Sequence, residues 1–190
     1  MVVLDIGAYI GYYTLIAAKQ VGPRGKVYAL EPDPISYSFL NQNIQLNRYS
    51  NVITFPKAAS NHMGAAKFYL NSADASKTSL LPRDGWEKAI SIECITLDEI
   101  IGDQRIDVAK IDVEGAEPMV LEGMKKTIEG NPQLILFIEQ NPVALWEGGS
   151  SPDALETLLK DLGYKIIVRI DEEWDSQREV VFCNLYCRRS

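Results

Sequence analysis

Short apolar runs alternate with amphipathic stretches along most of this chain. Residues 2–6 are apolar except for Asp5 and run directly into Gly7-Ala8-Tyr9-Ile10-Gly11. Similar runs follow at 27–30, at 52–55 (with a possible extension to 59), at 107–112 and at 134–139. Continuous apolar runs of this length suit strands covered on both faces. Between them lie helical patterns. One follows the glycine loop to about Gln20. A second starts at Asp33-Pro34, an N-cap followed by proline at N1, and runs to about Asn47. A third, 117–128, puts Val120, Leu121, Met124 and Ile128 on one face and stops at Gly130-Asn131-Pro132. A fourth starts at Ser151-Pro152-Asp153 and ends at Gly163. Two final strands, 164–170 and 179–187, are joined by the polar stretch 171–178, short enough for an antiparallel hairpin. The alternation predicts an α/β fold: a doubly wound, mostly parallel seven-stranded sheet closed by that hairpin.

Residues 65–96 are less regular. Segments 66–70 and 90–94 read as strands separated by the polar stretch 71–88. A loop of that length inside a compact domain is either a functional lid or an uninvolved surface segment. At 190 residues the expectation is one domain over 1–190; the chain opens inside its first strand without an N-terminal cap, so either it is trimmed or the acceptor site is unusually open.

In an open α/β sheet, the loops at the carboxyl ends of adjacent strands form the ligand crevice. Gly7 and Gly11 let a bulky ligand lie against backbone. Glu31 closes the neighbouring strand, where a carboxylate can accept both hydroxyls of a ribose. The loop reads D-x-G-x-x-x-G rather than the dinucleotide pattern G-x-G-x-x-G. An acid at position 5, at the mouth of the loop, opposes a pyrophosphate and suits a cationic cofactor. S-adenosylmethionine carries an ammonium and a sulfonium and no phosphate. Two other readings stand beside it: a dinucleotide site, and a tight turn with a solvated acid at the strand end.

Composition narrows the classes. With 190 residues and a net charge of −7, a substrate held by a broad basic face, such as a nucleic acid, is disfavoured. No apolar run approaches the roughly 20 residues of a membrane span, and Met1 is followed by a strand rather than a leader, so a cytoplasmic location is expected. Cys94, Cys183 and Cys187 form no disulfide framework; the last two lie four apart on a strand, about 13 Å, too far for a bridge. With one histidine, His62, and no C-x-x-C, zinc is not expected.

A second dense motif is Lys110-Ile111-Asp112-Val113-Glu114-Gly115-Ala116-Glu117, preceded by Thr96-Leu97-Asp98 and followed by Val120-Leu121-Glu122-Gly123. Together with D-x-G-x-x-x-G, Glu31-Pro32 and Lys57-Ala58-Ala59-Ser60, these resemble the FkbM family of S-adenosylmethionine-dependent methyltransferases. The resemblance covers the chain from Val2 to about Tyr186. It implies a class I methyltransferase fold and methylation of a hydroxyl oxygen on a sugar, glycolipid or polyketide-type molecule. The expected cofactor-binding set is Asp5, Gly7, Ala8, Gly11, Glu31, Pro32, Ala58 and Asp112.

Methyl transfer to an alcohol is helped by a general base. Asp112, at the end of the strand expected beside the first, is the leading candidate for base or acceptor positioning. Orienting the cofactor's ammonium or capping the next helix is its alternative. Glu114 falls on the same side as Asp112 if the strand continues that far. Glu139 ends the next strand and reaches the acceptor from the far side, or is simply solvated there. Close carboxylates repel unless one is protonated or a cation intervenes. A few carboxylates are a weak metal signal, and no metal is expected. Lys110 fits an ion pair as well as catalysis. Glu117 suits the N-terminus of a helix. His62 belongs on the surface or near the adenine end. Trp86 and Trp146 are candidates for stacking on a sugar, or for partial core packing, and Trp174 for a surface turn. A non-catalytic binding module and a nicotinamide-dependent oxidoreductase remain the rival classes.

Overall fold

The computed structural model describes residues 1–71, 78–83, 86, 88–175 and 180–189. The first half runs β1 (Val2–Ile6), α1 (Tyr12–Val21), β2 (Lys26–Leu30), α2 (Pro34–Leu46), β3 (Val52–Phe55) and β4 (Ala58–Ala59). Then come β5 (Gly64–Leu70), β6 (Thr78–Ser79), β7 (Lys88–Ile95), α3 (Leu97–Ile101) and β8 (Val108–Ile111). The remainder is α4 (Glu117–Glu122), α5 (Lys125–Gly130), β9 (Ile135–Gln140), α6 (Pro142–Glu147), α7 (Pro152–Asp161), β10 (Tyr164–Asp175) and β11 (Val180–Arg189).

The large sheet has the order β10-β11-β9-β8-β1-β2-β3. The ladders joining β9, β8, β1, β2 and β3 are parallel, and β11 is antiparallel to both of its neighbours. This is the doubly wound, seven-stranded sheet that the alternation predicts. Strand alternation assigns the two faces. Val3 and Val27 pack with Ala18 of α1, and Ala29 packs with Leu40 and Ile44 of α2. Leu4, Ile6, Tyr28 and Leu30 face the other way, into a cluster with Leu121 of α4, Ile128 of α5 and Leu155 and Leu159 of α7. Each fully buried Leu or Ile there stabilises the fold by about 1.5–3 kcal/mol relative to exposure.

Helix starts follow the sequence closely. Asp33 accepts from Ser36 N at 2.8 Å and Ser151 from Ala154 N at 3.1 Å, each followed by proline in the first turn. Cys94, Cys183 and Cys187 are buried free thiols.

Four expectations are corrected. The third strand ends at Phe55: Pro56 has no N–H for the ladder, and Ala58–Ala59 pairs instead with β7 in a second sheet, β4-β7-β5-β6. The single helix 117–128 is two helices. A Cβ at Gly123 would lie 2.0 Å from the Ser60 carbonyl oxygen, and the Asp98 carboxylate starts α5 by accepting from Thr127 N at 2.8 Å and Lys126 N at 3.1 Å. The motif segments around Asp98 and Gly123 thus meet, with Asp98 N donating to Gly123 O at 3.1 Å. The strand begun at Tyr164 extends to Asp175, so Trp174 lies in a strand and not a turn. Helices α3 and α6 were not anticipated. Of the polar stretch 71–88, residues 78 and 79 form β6, while 72–77, 84, 85 and 87 lie outside the described residues, as do 176–179 of the final turn.

Candidate functional site

The carboxyl ends of β2, β1, β8 and β9 meet at a cavity of about 380 Å³, within the range of small-molecule sites. Because β2 and β9 flank β1 and β8 on opposite sides, Glu31 and Glu139 mark opposite ends of it. Gly7, Ala8, Pro32, Ala58, Asp112 and Glu114 all line it. Gly7 has φ 77°, and a Cβ there would lie 1.8 Å from the Asp112 carbonyl oxygen. Only glycine permits that approach of the two loops.

Glu31 is 5% exposed, and its two oxygens hold two backbone amides: Tyr9 N donates to Oε2 at 2.7 Å and Asp33 N to Oε1 at 2.8 Å. Each oxygen retains acceptor capacity. Burial raises its pKa to about 7, against the pull of those amide bonds. The same bonds occupy the glycine loop. Gly7 N and Ala8 N donate to Leu30 O at 3.1 and 3.0 Å, Tyr9 N to Glu31, and Gly11 N to Ala8 O at 2.9 Å. These four loop amides are turned inward and are not offered to a ligand.

Two members of the expected cofactor set do not line the cavity. Asp5 is buried beneath the loop, where it accepts from Thr14 Oγ1 at 2.5 Å and lies 3.7 Å from Lys110 Nζ. It sits behind the loop and not at its mouth, because alternation along β1 points it toward α1. Burial pushes its pKa up, opposed by Lys110 and Thr14. Gly11 starts α1 at φ 97°, where a Cβ would meet Leu40 Cδ1 at 2.7 Å.

Lys110 lines the cavity between acids. Its Nζ is 3.0 Å from Asp112 Oδ2 and donates to Gly7 O at 3.2 Å, and it sits 5.0 Å above the ring of Tyr13. Burial alone would loosen its proton, but the carboxylates of Asp112 and Asp5 outweigh that and hold it above the ordinary lysine range. Asp112 follows β8, which pairs with β1 as expected, and its side chain is 34% exposed.

Glu114 does not lie on a continuing strand. β8 ends at Ile111, and Glu114 takes a left-handed backbone, φ 53°. Its carboxylate still reaches the cavity wall, held by Arg83 at 3.4 Å and Asn141 Nδ2 at 3.4 Å. Glu117 is 1% exposed, and Oε1 accepts from Val113 N at 3.0 Å and Gly115 N at 3.2 Å. It therefore folds the Asp112–Glu117 turn rather than serving as a solvated charge at a helix end. Burial raises its pKa to about 7. Glu139, inside β9, is not a solvated end. Burial first, then the charges of Asp112, Glu114 and Glu117, raise its proton affinity well above the ordinary glutamate range. Lys110 offsets this crowding of acids, which favours the protonated form of Glu139.

His62 lies in an exposed loop beside Ser60 and Asn61, away from the cavity. Neither tryptophan offered for stacking lines the cavity: Trp86 carries Arg83 over its ring at 4.7 Å, and Trp146 is 50% exposed on α6. The aromatic lining comes instead from Tyr9, Tyr12, Tyr13 and Phe68. The tyrosines stand in the glycine loop and the turn after it, where their spacing was open to view.

Comparison with known proteins agrees with this geometry. The methyltransferase FkbM domain model matches residues 5–166. Methyltransferase sdnD of Sordaria araneosa is 27% identical over 205 residues, covering 90% of this chain and 76% of its own length. The hexuronic acid methyltransferase AglP of Haloferax volcanii is 28% identical over 131 residues, covering 67% of this chain and 52% of its own. The crystal structure of methyltransferase FkbM from Methylobacillus flagellatus KT superposes with a TM-score of 0.63 at 19% identity. It is matched over 97% of this chain, which spans 42% of that structure's length. The chain belongs to the FkbM family of S-adenosylmethionine-dependent methyltransferases.

Proposed function

We propose that residues 1–190 act as one domain that binds S-adenosylmethionine in this cavity and methylates a hydroxyl oxygen of a sugar, glycolipid or polyketide-type small molecule. The observation that carries the reading is the separation of two acids across β1: Glu31, a buried acceptor at one end, and Asp112, an accessible one at the other. The residues suit the cofactor. Glu31 retains lone pairs for ribose hydroxyls, Gly7 and Ala8 leave backbone open to approach, and Pro32 and Ala58 offer apolar walls. The cations Lys57 and Lys110 are paired, with Glu93 at 2.6 Å and Asp112 at 3.0 Å.

When bound, the cofactor supplies an activated methyl group on its sulfonium. The protein aligns and deprotonates the acceptor. Asp112 receives the acceptor's hydroxyl proton. Lys110, hydrogen-bonded to Gly7 O, keeps that carboxylate registered against the glycine loop. Glu139 and Glu114 border the acceptor from the side of the cavity beyond Asp112. The name of AglP, a hexuronic acid methyltransferase, supports a sugar acceptor.

The test is transfer of labelled methyl from S-adenosylmethionine to a panel of neutral glycosides, hexuronic acids and polyketides. Labelled product from any hydroxyl compound supports the proposal. Tight cofactor binding with no transfer across the panel selects a non-catalytic module. Methyl esters as the only products replace a hydroxyl acceptor with a carboxylate.

A further inference from the structure

A non-glycine residue in a left-handed backbone is held there by its surroundings. Among the described contacts, Glu114, at φ 53°, is held by Asn141 Nδ2 at 3.4 Å and by two residues of the segment that carries Arg83. Its carbonyl oxygen accepts from Ser79 Oγ at 2.9 Å and from Arg83 Nη2 at 2.6 Å. Its carboxylate Oε2 accepts from the same guanidinium, at 3.5 Å from Nη1 and 3.4 Å from Nη2. Arg83 therefore grips both the backbone and the side chain of one turn residue, a task for a planar fork and not for a point charge.

Arg83 is itself fixed. Its side chain is 7% exposed, Nε lies 3.4 Å from Glu147 Oε2, and the guanidinium stacks on Trp86. The turn has nowhere to relax on its far side, since a Cβ on Gly115 would meet Ala144 O of α6 at 2.3 Å. Thr78 and Leu80, from the same segment as Arg83, line the cavity beside Glu114. The Glu31 end is built from β1, β2 and the segment after β3, and none of its residues touches Arg83 among the contacts above.

We infer that Arg83 is a positioning residue for the acceptor end of the cavity: by clamping the Glu114 turn it sets where that carboxylate faces the acceptor, without taking part in cofactor binding. The assignment of an acceptor end rests on the methyltransferase reading; the clamp does not. It gives Arg83 a role in acceptor selection that its distance in sequence from the Asp112 motif conceals.

The test compares R83Q and R83K with the parent by amide hydrogen exchange and by calorimetry with S-adenosylhomocysteine. The expected result is exchange at residues 113–117 faster by about tenfold or more in both variants. Protection in β1 and β8 stays at parental levels, and the S-adenosylhomocysteine Kd stays within about twofold of the parent. R83K keeps the charge but not the fork, so it does not rescue. Parental exchange at 113–117 in R83Q, or full protection in R83K, overturns the inference. So does loosening that extends through β1 and β8, or a matching loss of S-adenosylhomocysteine affinity. If the parent fails to bind S-adenosylhomocysteine, the methyltransferase reading falls while the exchange result still decides the clamp.

Discussion

Tyr9 donates its backbone N–H to Glu31 Oε2 at 2.7 Å, tying the glycine loop to the end of the neighbouring strand. One carboxylate thereby shapes the loop and faces the cavity. Replacing Glu31 with alanine removes both functions. We predict that Glu31→Ala weakens S-adenosylhomocysteine binding by about 10- to 100-fold, the range for a lost hydrogen bond to a charged group. Calorimetry showing parental affinity would remove Glu31 from the cofactor site.

The pKa of about 7 at Glu31 gives a second expectation. If the ionised form binds the ribose, the apparent Kd is divided by the ionised fraction. Affinity then rises with pH through about 7 and levels off above it, about tenfold weaker at pH 6 than at pH 8. Titrations across that range check the sign. A flat profile would mean that the proton on Glu31 is irrelevant to binding.

Much of this arrangement is visible in the sequence, and the exceptions share a cause. The apolar run of β1, the acid closing β2 and the Asp33 cap are local signals, readable from neighbours one to four residues away. Glu31 and Asp112 reach the cavity because strand order follows from the alternation. What the sequence hides is set by distant partners. Asp98 splits one helical pattern in two by capping residues 126 and 127. Lys110 reads as either partner or catalyst until Asp112 and Gly7 O are seen around it. Asp5 reads as a ligand to a cation until alternation and Thr14 put it behind the loop. Trp86 reads as a sugar platform until Arg83 covers its face.

Asp112 is accessible, paired with Lys110 and set across β1 from Glu31. Asp112→Asn keeps the shape and removes the base. The expected outcome is a fall in turnover of about 10²- to 10⁴-fold, with the S-adenosylhomocysteine Kd changed far less. Full turnover in this variant would exclude Asp112 as the proton acceptor.

Glu117 couples the site to stability. Its pKa rises from 4.5 to about 7 on folding, so the folded state binds the proton more tightly than the unfolded state. The stabilisation is complete below pH 4.5 and is lost as pH rises through about 7, a change of about 3 kcal/mol. Glu117→Gln keeps an oxygen for Val113 N and Gly115 N and removes the titration. Its Tm should therefore fall less than the parent's between pH 5 and pH 8, about the interval bounded by those two values. Parallel Tm profiles for the two proteins would refute the assignment.

Gly7 tests the approach of the loops. A methyl there meets the Asp112 carbonyl at 1.8 Å, and φ 77° is strained for alanine. Gly7→Ala should lower stability by about 1–3 kcal/mol or more and abolish S-adenosylhomocysteine binding, as read by chemical denaturation and calorimetry. Parental values in both would mean that the loop has room to shift.

The central proposal is that this cavity holds the methyl donor with its ribose on Glu31 and its sulfur toward Asp112. A crystal structure with S-adenosylhomocysteine tests it most directly. The expected result is both ribose hydroxyls within hydrogen-bond distance of the Glu31 carboxylate and the sulfur on the Asp112 side of β1. A ribose bound elsewhere, or a cavity without ligand at saturating S-adenosylhomocysteine, would contradict it.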